Sequence, residues 1–316
     1  MIKVHASAGN EDIAMVYIVE TSSGNLVECV ESVQPPLPRE KKWVLLVSTM
    51  FGCPIGCLMC DAGGYYHGKP TRDEILEQVD FLVAKRYTGV DIPCEQFKIQ
   101  FARMGEPSLN MQVIDVLEEL PHRYNAPGLM PSISTVAPAG CERFLERLLE
   151  VKQKYYSGGH FQFQVSLHTT DIDLRDRFIP VKKLTFSKIA AYGERFFVAG
   201  DRKITLNFAL AQGMPVAPNV LLQYFDPNKY LIKITPLNPT YRALENELVS
   251  YIDPLSSHQK YAIIQDLQAA GYQVILSIGE MEENLIGSNC GQYLRRHLSA
   301  SQPIEGGYTY QVVKNR

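Results

Sequence analysis

Short apolar runs recur along the whole chain, and the spacing between them changes character near residue 40. Before that point two runs, Met15–Glu20 and Leu26–Val33, flank Thr-Ser-Ser-Gly-Asn, which predicts a β-hairpin. Pro35-Pro36-Leu37-Pro38 then interrupts the pattern and marks a boundary. The predicted division is a hairpin extension over 1–38 and a main domain with a C-terminal extension over 39–316. From Trp43 onward strand-like runs alternate with helix-like ones. Strands are predicted at Trp43–Thr49, Gln96–Phe101, Ser132–Val136, Phe161–Leu167, Lys203–Ala209, Tyr230–Thr235 and Tyr272–Ile278. Thr71-Arg72-Asp73-Glu74 has capping-box spacing and opens a helix whose apolar positions include Ile75, Val79, Leu82 and Val83. Further helices are predicted at Met111–Leu120, Glu142–Lys154, Phe186–Phe197 and Ser256–Ala270, the last with Ser256 and Gln259 at capping-box spacing.

Repeated β-then-α units argue for an α/β fold with a parallel sheet and helices outside it. The pattern alone leaves an open sheet and a complete or partial barrel as alternatives. Both place ligand chemistry at the carboxyl ends of the strands. The unusual residues sort there. A cysteine-rich loop follows the first strand, and Gly105-Glu106-Pro107 follows the second. Ser134 ends the third, Ser166 and His168 end the fourth, Asn238 follows the sixth, and Cys290 lies beyond the seventh.

Composition narrows the class. An apolar content of 46% over 316 residues suffices for a sizeable core and excludes disorder as the main state. The net charge of −3 gives no global basic field for nucleic acid. The amino terminus carries acids where a signal peptide needs an apolar run. The longest uncharged stretch, Ile204–Phe225, is broken by Asn207, Gly213, Pro215 and Pro218, so it reads as strand, loop and short helix. A soluble cytoplasmic protein without membrane contact is expected.

Seven cysteines are too few for a disulfide scaffold, and three of them fall in Phe51-Gly52-Cys53-Pro54-Ile55-Gly56-Cys57-Leu58-Met59-Cys60. Two glycines and a proline let one short loop wrap three thiolates around a metal. Zinc would want a fourth ligand, and His67 is available. On a four-iron cluster, three thiolates would leave one iron open to a small molecule.

C-x3-C-x2-C after a first β-strand, in a βα repeat, resembles the signature of radical S-adenosylmethionine (radical SAM) enzymes. The chain is further similar to the RlmN/Cfr family of adenine methyl synthases, which act on ribosomal RNA. The likeness runs from about Met15 to Gln292 through Cys60-Asp61-Ala62-Gly63-Gly64, Met104-Gly105-Glu106-Pro107, Ile133-Ser134-Thr135, Val165-Ser166-Leu167-His168, Leu237-Asn238-Pro239 and Asn289-Cys290-Gly291-Gln292. It implies a partial (β/α)6 barrel with the hairpin as a small N-terminal unit. It also implies that Cys53, Cys57 and Cys60 ligate a [4Fe–4S] cluster whose open iron binds SAM. Gly105 and Glu106 would receive the SAM amino group; Ser134, Ser166, Leu167 and His168 its carboxylate or ribose; Asn238 its adenosine part. A reducing donor such as flavodoxin or ferredoxin is implied as a partner.

In that family the cysteine matching Cys290 accepts a methyl group from one SAM. A 5′-deoxyadenosyl radical from a second SAM then removes hydrogen from it, and the carbon radical adds to an aromatic ring carbon. Two features depart from the pattern. The family's second catalytic cysteine, seven residues before the first cluster ligand, is Leu46 here. A helical RNA-contacting domain normally precedes the hairpin, where this chain has about a dozen residues. Three functions therefore stand side by side. They are methyl transfer through Cys290 to RNA or a smaller substrate, direct radical chemistry on a small molecule or peptide, and a non-catalytic zinc or iron–sulfur protein.

Overall fold

Alternation of burial along the strands decides how the sheet is used. The computed structural model describes residues 2–255, 261–289, 292–294 and 304–314. Within them lie β1 (Lys3–Asn10), β2 (Ala14–Glu20), β3 (Leu26–Val33), β4 (Trp43–Val47), β5 (Phe97–Phe101) and β6 (Leu129–Thr135). Then come β7 (Gln162–Ser166), β8 (Ile204–Leu210), β9 (Tyr230–Pro236), β10 (Gln273–Leu276) and β11 (Val313–Lys314). Every strand predicted from the pattern is present, with ends shifted by a few residues. β4 to β10 run parallel and sit side by side in chain order. A doubly wound sheet would reverse that order at a switch point, so the topology is that of a barrel wall. It counts seven parallel strands, one more than the expected six. At the β4 edge the wall is continued by the antiparallel strands β3, β2 and β1, with β11 outermost.

Most of the helices cover one face of this wall; the last packs through Ile286 with Ile18, Val30 and Leu46 on the other. The helices are α1 (Arg72–Ala84), α2 (Gln112–Arg123), α3 (Glu142–Tyr155), α4 (Ile172–Phe178), α5 (Phe186–Phe196), α6 (Pro218–Leu222), α7 (Tyr241–Glu245), α8 (Ala262–Ala269) and α9 (Met281–Ile286). The predicted capping box opens α1: Glu74 N–H donates to Thr71 Oγ1 (3.3 Å), and Thr71 N–H to Glu74 Oε2 (2.9 Å). Outward strand residues Phe97, Ile99, Ile133, Phe163, Leu206 and Ile232 pack with Val79, Leu117, Leu148 and Ile189 of the helices in one core. At roughly 1.5–3 kcal/mol for each large side chain buried, this face supplies the stability.

The opposite face differs in kind. In β4 and β5 buried and half-buried residues alternate, and the half-buried set includes Lys98 and Gln100. The same set continues with Ser134, Ser166, Asn207 and Lys233 on β6 to β9. A closed barrel of the packed type fills its interior with branched apolar side chains. Here the interior is polar and partly accessible, so it forms an open lumen. Polarity at every second position was visible in the sequence; its meaning needed the register.

The helix predicted over Ser256–Ala270 is described only as α8, since Ser256 and Gln259 lie outside the described residues. β1 escaped sequence reading because its buried positions, Ala6 and Ala8, are small. The short helices α4, α6, α7 and α9 span too few turns to display a period. No helix among the described residues is long and apolar enough to cross a membrane.

Candidate active site

The cysteine loop leaves β4 and is folded by backbone geometry that glycine permits. Gly52 and Gly56 adopt φ of 82° and 71°, in the left-handed region. A Cβ on Gly52 would lie 2.0 Å from the Tyr65 carbonyl oxygen, so no larger residue fits. Cys53 N–H donates to Tyr65 O (3.0 Å), Cys60 N–H to Cys57 O (3.1 Å), and Leu58 N–H to Phe178 O (3.0 Å). The three thiols are half-buried. Burial lifts the Cys53 thiol to about 11. It also lifts the Cys57 thiol well above its usual range, with the charges of Cys60, Cys53 and Glu106 adding to the effect. Thiols so raised stay protonated until a cation displaces the protons. Soft thiolate donors on one loop suit an iron–sulfur cluster or zinc. Among the described residues no three Cys, His, Asp or Glu side chains converge tightly enough to hold a single metal ion. The His67 ring is exposed and stacks on Phe51 (5.6 Å) and Tyr65 (6.0 Å).

Asp61, directly after the third cysteine, fastens the loop to the far end of the chain. Its buried carboxylate accepts Arg242 N–H (2.9 Å), Tyr241 N–H (3.2 Å) and the Tyr308 hydroxyl (3.1 Å). Helix α7 reciprocates. Thr240 Oγ1 donates to Met59 O (2.7 Å), Asn246 Nδ2 to Leu58 O (3.0 Å), and Arg242 Nη2 to Gly56 O (3.3 Å). Sequence reading assigned Asp61 no task, because its partners are some 180 and 247 positions away.

The end of β5 delivers Gly105 and Glu106 to the same side. Gly105 has φ 105°, and a Cβ there would come within 2.5 Å of Met50 Cβ. Glu106 is buried, and burial raises its carboxyl above the usual range. Its Oε1 accepts Ser108 N–H (3.0 Å) and Ser108 Oγ–H (2.7 Å), and its Oε2 accepts Val136 N–H (2.9 Å). These donors cap the short turn Pro107–Leu109 and tie it to the end of β6. The Glu106 charge also acts on Cys53 and Cys57. A carboxylate beside the cysteine loop, with its remaining acceptor capacity, can take an ammonium.

Ser134 and Ser166 face each other across β6 and β7, with Oγ atoms 3.5 Å apart, and Asn207 of β8 joins them at 3.5 Å. Asn207 Oδ1 is buried without a hydrogen-bond partner in the described structure. The backbone N–H groups of Leu167 (3.0 Å) and His168 (3.2 Å) both donate to Asn207 O. These amides are therefore taken, and the Leu167 side chain is in the core. His168 is buried at φ 66°, and its Nδ1 accepts Ala209 N–H (3.1 Å). Burial, then the Arg175 charge, depresses its pKa to about 3, so the ring is neutral and carries its proton on Nε2. Asn238 is half-buried between β9 and α7.

Cys290 and Gly291 lie outside the described residues, whereas Ser288, Asn289 and Gln292 nearby are described. Ser288 and Asn289 carbonyls accept from Arg103 Nη1 (3.0 and 2.9 Å), and Gln292 Nε2 donates to Arg103 O (3.1 Å). Leu46, on the inner face of β4, packs with Val30, Tyr293 and Leu294 in a second apolar cluster. Arg103 was not singled out in the sequence, since its partners are distant in the chain.

No family model matches the chain. It is 24% identical over 314 residues to the dual-specificity RNA methyltransferase RlmN of Wolinella succinogenes, covering 92% of this chain and 83% of that protein. It is 27% identical over 285 residues to a probable dual-specificity RNA methyltransferase RlmN of Chlorobaculum tepidum, covering 85% and 68%. The crystal structure of a radical SAM methyltransferase from Sphaerobacter thermophilus superposes with a TM-score of 0.62 at 20% identity, over 87% of this chain and 76% of that one. Over most of its length the chain is thus similar to proteins named RlmN methyltransferases, and it shares its fold with a radical SAM methyltransferase.

Proposed function

We propose that this enzyme holds a [4Fe–4S] cluster on Cys53, Cys57 and Cys60 and uses it to cleave SAM reductively. Carrying the reading is the convergence of the cysteine loop and buried Glu106 at the carboxyl ends of adjacent strands, above an open polar lumen. When bound together, cluster and SAM supply a 5′-deoxyadenosyl radical upon one-electron reduction, for which a flavodoxin- or ferredoxin-type donor is the expected source. Gly105 O and Glu106 would receive the SAM ammonium. Ser134, Ser166 and Asn207 offer hydroxyl and amide groups to its carboxylate or ribose. The Leu167 and His168 amides are already engaged, so that stretch would contribute through Ser166 and through the neutral His168 ring. Asn238 would meet the adenosine part.

The finer proposal is methylation of an unactivated sp2 carbon through Cys290, which the resemblance of the sequence blocks to the RlmN/Cfr family implies. Polar methyl transfer to such a carbon is unfavourable, whereas radical addition is not, which gives a sulfur-borne methyl its purpose. Direct radical chemistry on a small molecule or peptide is the second reading. Leu46 favours it, because an apolar side chain in an apolar cluster can neither move a proton nor form a disulfide. Anaerobic reconstitution tests the common part: about four irons should bind, 5′-deoxyadenosine should form with SAM and a strong reductant, and alanine at any of the three cysteines should abolish both. Stoichiometric zinc without iron would overturn it. Mass spectrometry of Cys290 divides the two readings: a methylated sulfur supports transfer, while an unmodified one whose replacement leaves full activity supports direct chemistry.

A further inference from the structure

Tyr308 stands in the left-handed backbone region, at φ 55°, which a bulky side chain rarely adopts. The strap around it, residues 304–314, runs along α9 and then to the sheet. Tyr308 N–H donates to Asn284 O (3.3 Å) and Thr309 N–H to Leu285 O (2.8 Å), and beyond them β11 pairs with β1. The Tyr308 ring lies so close to Gly287 that a Cβ there would meet its Cε1 at 2.6 Å. It also packs edge-on against Tyr293, with centroids 5.2 Å apart. Backbone strain and crowding thus hold the phenol oxygen at one place, where two separate parts of the chain meet it. It accepts Gln292 N–H (2.8 Å) and donates to Asp61 Oδ2 (3.1 Å). Asp61 directly follows Cys60, inside a turn closed by Gly63 N–H to Cys60 O (3.1 Å).

We propose that Tyr308 is a positioning residue that couples cluster binding at the cysteine loop to docking of the strap and of the stretch around Gln292. The proposal rests on the reading that Cys53, Cys57 and Cys60 hold a cluster. With Cys60 held as a ligand, the turn that carries Asp61 is fixed. Its carboxylate is then already aimed, and docking Tyr308 orders fewer groups. Linkage makes the effect reciprocal, so the docked strap retains the cluster by the same factor. Burial sharpens it. Tyr308 is 6% exposed, so a loop that moved away would strand the hydroxyl proton where little water reaches it. Gln292 extends the connection, because its Nε2 donates to Arg103 O, two residues before Gly105. One hydroxyl therefore joins the cysteine loop, the Gly105-Glu106 turn and the C-terminal stretch. The walls of the site assemble together, on loaded protein.

Hydrogen exchange of the full chain, cluster-free and after anaerobic reconstitution, reads the coupling directly. In the native protein, loading should slow exchange at Tyr308 and Thr309 by roughly tenfold or more. Tyr308→Phe keeps the ring and loses the hydroxyl. It should bind the same iron, lose most of that difference, and release iron to a chelator several-fold faster. Tyr310→Phe is the control, since the Tyr310 hydroxyl donates to Glu282 of α9 and not to the cysteine loop. It should loosen the strap equally with and without the cluster, leaving the ratio unchanged. If Tyr308→Phe behaved in that same way, Tyr308 would be ordinary packing and the proposal would be overturned. Exchange that loading leaves unchanged in the native chain would overturn it too, whatever the variants do. Iron counts on the same samples separate the two readings. About four irons without coupling sinks this proposal alone, and no iron sinks it together with the radical SAM reading.

Discussion

Arg103 and Glu28 form an ion pair sealed from solvent, with both side chains 0% exposed. Glu28 Oε2 accepts from Arg103 Nε (3.1 Å) and Nη2 (2.5 Å). The remaining N–H groups meet the carbonyls of Gly287 (3.1 Å), Ser288 (3.0 Å) and Asn289 (2.9 Å), and Glu28 Oε1 accepts Leu294 N–H (2.6 Å). All five guanidinium donors are thereby used, which a lysine could not reproduce. The pair joins the turn before Gly105 to both flanks of Cys290.

Removing one partner leaves a buried charge uncompensated. Glu28→Gln should lower unfolding free energy by about 3–5 kcal/mol, measured by urea titration. The double variant Glu28→Leu, Arg103→Met should lose less than the two single losses combined, although three carbonyls stay unpaired. Strict additivity would show that the pair does not act as a unit.

Asp61 makes a second long-range tie, from the cysteine loop to α7 and Tyr308. Asp61→Ala should leave all three thiols in place yet speed the loss of iron to a chelator, because the loop backbone loses its hold on Tyr241 and Arg242. Asp61→Asn, which retains one acceptor oxygen, should fall between. Equal rates in all three proteins would mean that the bonds from Thr240, Asn246 and the Arg242 guanidinium suffice to hold the loop.

These ties explain which parts were legible beforehand. The seven parallel strands and α1 follow from local periodicity and a capping box, and the cysteine loop from spacing within eight positions. Arg103 and Asp61 carry no local signal, since each depends on partners distant in the chain. His168 combines the two cases. Its strand-end position is legible locally, whereas the bond from Ala209 N–H to its Nδ1, which orients the ring, is not.

Glu106 separates a cofactor contact from a structural cap. Glu106→Gln keeps the side-chain shape but removes the charge that an ammonium would meet. SAM affinity should drop by roughly 10–100-fold with iron content unchanged. Glu106→Ala should in addition lower stability, because Ser108 N–H, Ser108 Oγ–H and Val136 N–H lose their acceptor, at about 1–3 kcal/mol for each stranded donor. Equilibrium binding and thermal melting distinguish the two. A glutamine variant that binds SAM like the native protein would reduce Glu106 to a cap.

The pH dependence of stability should report His168. Its folded pKa of about 3 lies below the ordinary value near 6.5 that it regains on unfolding. Between these values the unfolded chain binds the extra proton, so unfolding becomes easier as pH falls. The contribution is fully present above about pH 6.5 and is lost at about 1.4 kcal/mol per pH unit below it. His168→Asn is the informative variant. Asparagine tolerates the left-handed backbone at φ 66° and supplies a carbonyl for Ala209 N–H, but it does not titrate. Stability curves of the two proteins should therefore run parallel above pH 6.5, and below it the native curve should fall more steeply than the variant's, whatever their offset. Curves that stay parallel down to about pH 4.5 would show that His168 takes up a proton as readily in the fold as outside it, and so faces water or a carboxylate.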